Sequence, residues 1–205
     1  MRLVHPGLLL IVSGPSGCGK GTVCDLLRKR NPNLAYSISA TTRRARPGER
    51  DGIDYLFLTP DDFQHQVEQD GFLEWARVFG HFYGTPRAWV EECLETGKDV
   101  LLEIDPQGAL QVKAGYPAGI LLFLLPPSLS ELENRINRRG TESAEEKAQR
   151  LKAAEREIAQ IRYYDYLVVN DKVEQAVLTI EAILQAERSR VDRYSKQKLK
   201  AMLEG

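Results

Sequence analysis

The sequence predicts an α/β fold in three layers, with helices on both faces of a central parallel sheet. Three observations predict it. Short apolar runs alternate with segments of helical periodicity along most of the chain. The first apolar run, Leu8–Ser13, passes directly into a glycine-rich stretch and then into a helical pattern. Two segments, 37–87 and 128–160, break the alternation and read as insertions into one domain.

Taken in order, Leu8–Ser13 is a buried first strand, because five consecutive apolar residues end at glycine. Gly19–Arg30 carries Val23, Leu26 and Leu27 at helical spacing. Segment 37–87 is rich in Thr, Arg, Gly and aromatics, with a strand-like piece at Ile53–Leu58 and a short helix at Asp61–Gln69. Glu74 falls at a helix-to-strand junction in this reading. Trp89–Thr96 reads as a helix stopped by Gly97. Lys98–Asp105, Gly119–Leu125 and Tyr166–Val169 are three further buried strands. Segment 128–160 is charged and helical; Ser128 with Glu131, and Ser143 with Glu146, have capping-box spacing, and Gly140 separates two helices. A final helix runs from about Lys172 towards the C-terminus. Residues 1–36, 88–127 and 161–205 are thus expected to form the core.

Bulk composition excludes several function classes. The chain has 205 residues, 42% hydrophobic and 28% charged, enough for an ordinary core. Its 28 basic and 29 acidic residues leave a net charge of −1, which argues against a nucleic-acid coat or a membrane-surface protein. Cys18, Cys24 and Cys93 are odd in number and form no C-x-x-C pair, so a reducing compartment is expected, without disulfides or zinc. The apolar run after Arg2 is short and lacks an A-x-A-like cleavage site, and no run approaches a membrane span. The expected location is the cytoplasm.

The stretch after the first strand is Gly14-Pro15-Ser16-Gly17-Cys18-Gly19-Lys20-Gly21-Thr22. It satisfies G-x-x-x-x-G-K in the strand–loop–helix setting that a phosphate-binding P-loop requires. Glycines let backbone amides approach phosphate oxygens, the following helix N-terminus favours anions, and Lys20 adds a cation at the β- and γ-phosphates. Gly21 stands where the general pattern has Ser or Thr, so Thr22 is the candidate hydroxyl for phosphate or Mg²⁺, with the ion keeping most of its waters. Cys18, near a helix N-terminus, is expected either to have a lowered thiol pKa or to be an inert loop residue.

The first inserted segment contains Ser37-Ile38-Ser39-Ala40-Thr41-Thr42-Arg43-Arg44-Ala45-Arg46-Pro47-Gly48-Glu49, then Gly52-Ile53-Asp54-Tyr55. Three arginines within four residues suit a phosphate dianion, since guanidinium forks match its oxygens. Alone, the cluster could equally be a nucleic-acid patch, a reading that the charge balance does not support. S-x-S-A-T-T-R-x-x-R-P-G-E followed by G-x-D-Y resembles the GMP-binding segment of guanylate kinases. Phe72-Leu73-Glu74-Trp75-Ala76, Tyr83-Gly84-Thr85 and Glu103-Ile104-Asp105-Pro106-Gln107-Gly108 resemble later segments of that family, in the same order.

The resemblance implies ATP-dependent phosphorylation of GMP, with dGMP as a further acceptor, giving ADP and GDP, with Mg²⁺ as the companion of ATP. It makes 37–87 a GMP-binding lobe, 128–160 a lid and the fold a P-loop core. By the same resemblance Arg43, Arg46, Tyr55 and Tyr83 hold the GMP phosphate, while Ser39, Glu74, Thr85 and Asp105 read guanine. Arg44 receives no role and is expected at the surface. In the lid, Arg135 and Arg139 share a helical face at i, i+4. By pattern alone they belong to an exposed, salt-bridge-laced helix. The resemblance instead assigns Arg135, Arg139 and Arg150, with Lys20, to the transferring phosphoryl group, and places Asn170 near adenine.

Two physical points stand beside the resemblance. Guanine offers N1–H and N2–H₂ side by side, and a carboxylate such as Glu74 accepts both, whereas adenine presents an acceptor there. The acceptor phosphate has a second pKa near 6 and is largely ionised at neutral pH, so no general base is needed. His5, His65 and His81 accordingly lie outside every motif. Two rival readings share the pattern: a non-catalytic binding module of the same fold, and a kinase acting on another phosphorylated acceptor such as a ribose phosphate. Oligomeric state stays open between monomer and homodimer.

Overall fold

The computed structural model describes residues 6–78, 80–138, 144–194 and 200. Its elements in chain order are β1 (Leu9–Ser13), α1 (Lys20–Arg30), β2 (Ala35–Tyr36), β3 (Ala40–Thr41), β4 (Leu56–Phe57), α2 (Pro60–Glu68), β5 (Phe72–Val78) and β6 (His81–Pro86). There follow α3 (Arg87–Glu95), β7 (Val100–Glu103), α4 (Pro106–Gly115), β8 (Ile120–Leu125), α5 (Leu129–Arg138), α6 (Ala144–Ile158), β9 (Tyr166–Val169) and α7 (Val173–Arg188).

The main sheet is parallel, in the order β2-β7-β1-β8-β9. The central strand β1 is buried along its whole length. Side chains of β1 and of Leu8 just before it alternate between two cores: Leu8, Leu10 and Val12 pack with residues of α1 and α7, while Leu9 and Ile11 pack with residues of α3 and α4. This period-two split is what the three-layer expectation requires. The chain leaves β1 towards β2 and β7 on one side, and later adds β8 and β9 on the other. The carboxyl end of β1 is therefore a topological switch point, where open parallel sheets place their ligands.

The first insertion builds a second sheet, β4-β3-β6-β5, closed by α2. Its small core stacks Phe63 between Phe72 and Phe82, with ring centroids at 4.5 and 5.5 Å. Helices α5 and α6 bury Leu132, Ile136 and Ala154 against each other. Among the described residues, no helix is long and apolar enough to cross a membrane.

Local chemistry explains the boundaries. The Ser128 hydroxyl accepts the Glu131 amide at 3.1 Å, the capping contact expected for α5. Ser143 and Gly140 lie outside the described residues. Gly97, at φ 80°, ends α3: its N–H donates to Leu94 O and that of Lys98 to Cys93 O, a Schellman pair. Four readings of the sequence need correction. β5 and β6 form a long antiparallel pair that the reading of segment 37–87 did not include, and Glu74 lies within β5 rather than at a helix junction. The expected strand Ile53–Leu58 is reduced to Leu56–Phe57. The final helix stops at Arg188, followed by a turn of 3₁₀ helix at Val191–Arg193.

Candidate active site

The phosphate loop occupies the end of β1, and its shape depends on glycine. Gly14, Gly17 and Gly19 have φ of 146°, 91° and 93°, values that side chains with a Cβ rarely adopt. Lys20 is the first residue of α1 and folds back so that Nζ donates to Gly14 O at 2.7 Å and Pro15 O at 3.3 Å. Thr22 is exposed on the first turn of α1. Cys18 is fully buried, and burial pushes its thiol up, which favours the inert loop residue over the lowered pKa among the two readings of it. Asn170, after β9, donates from Nδ2 to Cys18 O at 2.8 Å and is buried.

Helices α5 and α6 reach this loop through two arginines. Arg135 donates to Glu131 Oε1 at 2.8 Å, Cys18 O at 3.2 Å and Asn170 O at 3.2 Å. Arg150 is buried and donates to Ser16 Oγ at 2.8 Å. Arg139 lies outside the described residues. Glu157, which sequence reading missed, accepts the Ser16 backbone N–H at 3.1 Å.

A cavity of about 190 Å³ opens between the loop and the second sheet, lined by Lys20, Ser39, Tyr55, Glu74, Tyr83, Glu103 and Asp105 among others. Glu74 faces it from β5 and is only 6% exposed. Burial pushes its carboxyl up to about 7, opposed by a hydrogen bond from Thr85 and aided by the nearby Asp105 charge. Thr85 is buried on β6, directly opposite Glu74 in register, and its hydroxyl donates to Glu74 Oε1 at 2.6 Å. Gly108 makes room for this carboxylate, since a Cβ there would lie 2.5 Å from Glu74 Oε2. Asp105 caps α4 by accepting the Gly108 amide at 2.8 Å.

The sequence of this chain matches the family profile described as "Guanylate kinase" over residues 7–187. It is 52% identical to a guanylate kinase of Caldanaerobacter subterraneus subsp. tengcongensis over 94% of both chains. It is 51% identical to one of Carboxydothermus hydrogenoformans over 98% of both. The crystal structure of guanylate kinase from Anaplasma phagocytophilum superposes with a TM-score of 0.80, at 35% identity, covering 98% of this chain and 95% of that one. The chain belongs to the guanylate kinase family.

For a guanylate kinase the arginine cluster has an instructive arrangement. Arg43 makes a two-pronged pair with Glu49, Nη1 to Oε2 and Nη2 to Oε1 both at 2.9 Å. Glu49 also accepts the Arg46 backbone N–H at 2.8 Å. The Glu49 hydrogen bonds hold the Arg43 guanidinium well above the usual arginine range. The guanidinium lies 5.2 Å from the Tyr55 ring centroid, and Tyr55 meets Tyr83 edge-on at 6.1 Å. The side chains of Arg44 and Arg46 are exposed. The structure therefore brings Ser39, Tyr55, Glu74, Tyr83 and Asp105 onto one cavity with Lys20. Arg43 stands beside the tyrosines, Thr85 behind Glu74, and Arg46 at the rim of the loop that Glu49 ties together.

Sequence reading also missed Glu103. It ends β7 beside β1, hydrogen-bonds with the Tyr36 hydroxyl at 3.2 Å and is pushed up by burial, with Lys20 opposing. Its oxygens lie 3.6 and 4.0 Å from where a Cβ on Gly21 would stand. Its place at the carboxyl end of a strand flanking the P-loop is the signal that could have found it.

Proposed function

We infer that this chain transfers the γ-phosphoryl group of ATP to GMP, giving ADP and GDP. The observation that carries the inference is the shared cavity, in which the P-loop Lys20 and the buried carboxylate Glu74 face one space. A P-loop alone would fit many nucleotide enzymes. A buried carboxylate held by Thr85, with Ser39 and Asp105 beside it, fits the donor edge of guanine. Leaving such a group unpaired is costly, and sites of this kind reject analogues by about 10⁴ to 10⁵.

On this reading Glu74, Asp105, Ser39 and Thr85 orient the base, while Arg43, Arg46, Tyr55 and Tyr83 take its phosphate. Lys20 and the loop amides, with Gly14 to Thr22, hold the phosphates of ATP, and Asn170 stands by its base. Arg135, Arg150 and Arg139 offset the repulsion of two anions brought together, and positioning supplies roughly 7–11 kcal/mol of the barrier. Segment 37–87 serves as acceptor lobe and 128–160 as lid, with residues 1–36, 88–127 and 161–205 as the core. dGMP is a second acceptor.

Mg²⁺ fits as the companion of ATP. Glu103 offers a buried carboxylate beside Gly21, and Thr22 a hydroxyl; these would hold the ion chiefly through its waters. When bound, the ion neutralises charge on the β- and γ-oxygens. Among the described residues no three His, Cys, Asp or Glu side chains converge into a metal cage. Three buried free cysteines suit a reducing cytoplasm. The partners are nucleotides rather than nucleic acid or membrane, and the chain acts as monomer or homodimer.

ADP release with ATP, Mg²⁺ and each of GMP, AMP, CMP and UMP tests the inference. Turnover with GMP and not with the other three is expected. Equal turnover with another acceptor, or none with any despite ATP binding, would overturn it.

A further inference from the structure

Glu157 lies 141 positions from Ser16 in sequence, yet its Oε2 accepts the Ser16 backbone N–H at 3.1 Å. Two helical turns earlier on α6, Arg150 donates to the Ser16 hydroxyl at 2.8 Å. One face of α6 thus presents a carboxylate and a guanidinium together to the third residue of the P-loop. Other charged groups facing Glu157 are Lys20 on α1 and Asp105 at the start of α4.

Backbone N–H groups of this loop are the donors that cradle phosphate oxygens. A single N–H cannot serve two acceptors well. The Glu157 carboxylate is thus an anion held on one of the loop's backbone donors. We propose that Glu157 is a built-in competitor for the phosphate chain of ATP, holding the Ser16 amide until the nucleotide displaces it and thereby setting ATP affinity. This rests on the reading of the P-loop as the donor site. Glu157 is then a positioning residue. Its release withdraws one negative charge from the loop as the phosphates arrive, and it frees the Ser16 amide while the Arg150 bond to the Ser16 hydroxyl stays in place.

The test is direct binding by calorimetry, without acceptor, of Mg·ATP and of tripolyphosphate as a phosphate-only probe. Wild type is compared with Glu157→Gln and Glu157→Asp, and GMP binding serves as control. Charge-assisted hydrogen bonds are about twice as strong as neutral ones, so Glu157→Gln is expected to lower the Kd for both probes about fivefold. Glu157→Asp keeps the charge but is one methylene too short to hold the amide, and a lowered Kd is expected there too. If one variant fails to fold, the other carries the test. At about 1 M salt, where the Debye length is about 3 Å, long-range repulsion is screened, and the ratio is expected to persist. Unchanged or weaker ATP binding overturns the proposal. So does a ratio that collapses to one in high salt, or an effect confined to the Gln variant. Because the readout is binding, tighter ATP binding without GMP turnover would leave this proposal standing while sinking the acceptor assignment.

Discussion

Thr85 and Glu74 face each other across the β5–β6 pair, and the Thr85 hydroxyl donates to the Glu74 carboxylate at 2.6 Å. The bond fixes one carboxylate oxygen and leaves the other towards Gly108 and the cavity. A threonine in this place orients the Glu74 carboxylate.

Burial raises the Glu74 carboxyl to about 7, against 4.5 for a free one. A carboxyl raised in the folded state favours folding while protonated. Its contribution is fully present below about 4.5 and is lost as pH rises to about 7, because the unfolded chain gives up the proton first. Glu74→Gln is therefore expected to flatten the pH dependence of the melting temperature between those values. Guanine donors favour the ionised form, so GMP binding at pH 6 to 7 expels a proton. Calorimetry in buffers of different ionisation heat measures it, and the Gln variant is expected to release less than wild type.

Gly108→Ala places a Cβ 2.5 Å from Glu74 Oε2. The carboxylate must shift, at a cost of about 1–3 kcal/mol in stability. Acceptor affinity is expected to fall while the KM for ATP stays within about twofold, a split read by steady-state kinetics.

β1, α1, β8 and β9 were legible because the chemistry that makes them is apolar and local. The β1 run is buried on both faces. The expected Tyr166–Val169 strand matches β9 in its bounds but not in its burial: β9 is an edge strand, with Val168 buried and Leu167 and Val169 exposed. β5 was hidden by a carboxylate in its inward row. Its inward positions are Phe72, Glu74 and Ala76, so a carboxylate stands where apolar alternation is looked for. The arginine cluster was plain in the sequence, but the bond of Arg43 to Glu49 was not, since nothing in R-x-x-R-P-G-E says that the acid turns back on the first arginine. Glu157 was lost within a charged helix for the same reason: α6 carries many acids and bases, and only folding reveals which one reaches the P-loop.

Arg43 and Arg44 separate cleanly by mutation. Arg43 is held between Glu49 and the Tyr55 ring, whereas the Arg44 side chain is exposed. Removing a charge-assisted phosphate contact costs about 1.5–3 kcal/mol. Arg43→Ala is expected to raise the KM for GMP roughly tenfold to a hundredfold, and Arg44→Ala to change it less than about twofold.

Gly19 and Gly21 predict opposite outcomes for the same substitution. A Cβ at Gly19 meets Asn170 Nδ2 at 2.5 Å with φ at 93°, while one at Gly21 makes only ordinary contacts with Glu103 at 3.6 Å. Gly21→Ala is expected to stabilise the nucleotide-free protein by about 0.4–1 kcal/mol, through the entropy of the unfolded chain. Gly19→Ala is expected to destabilise it and to abolish ATP binding. Denaturant unfolding checks both.

The central claim is that Glu74 reads the donor edge of guanine. IMP keeps N1–H and O6 but lacks the N2 amine, so the ratio of kcat/KM for GMP over IMP reports that one contact. Wild type is expected to favour GMP by about tenfold to a hundredfold, as one charge-assisted hydrogen bond allows, and Glu74→Gln to bring the ratio close to one. An unchanged ratio in the variant would contradict the claim.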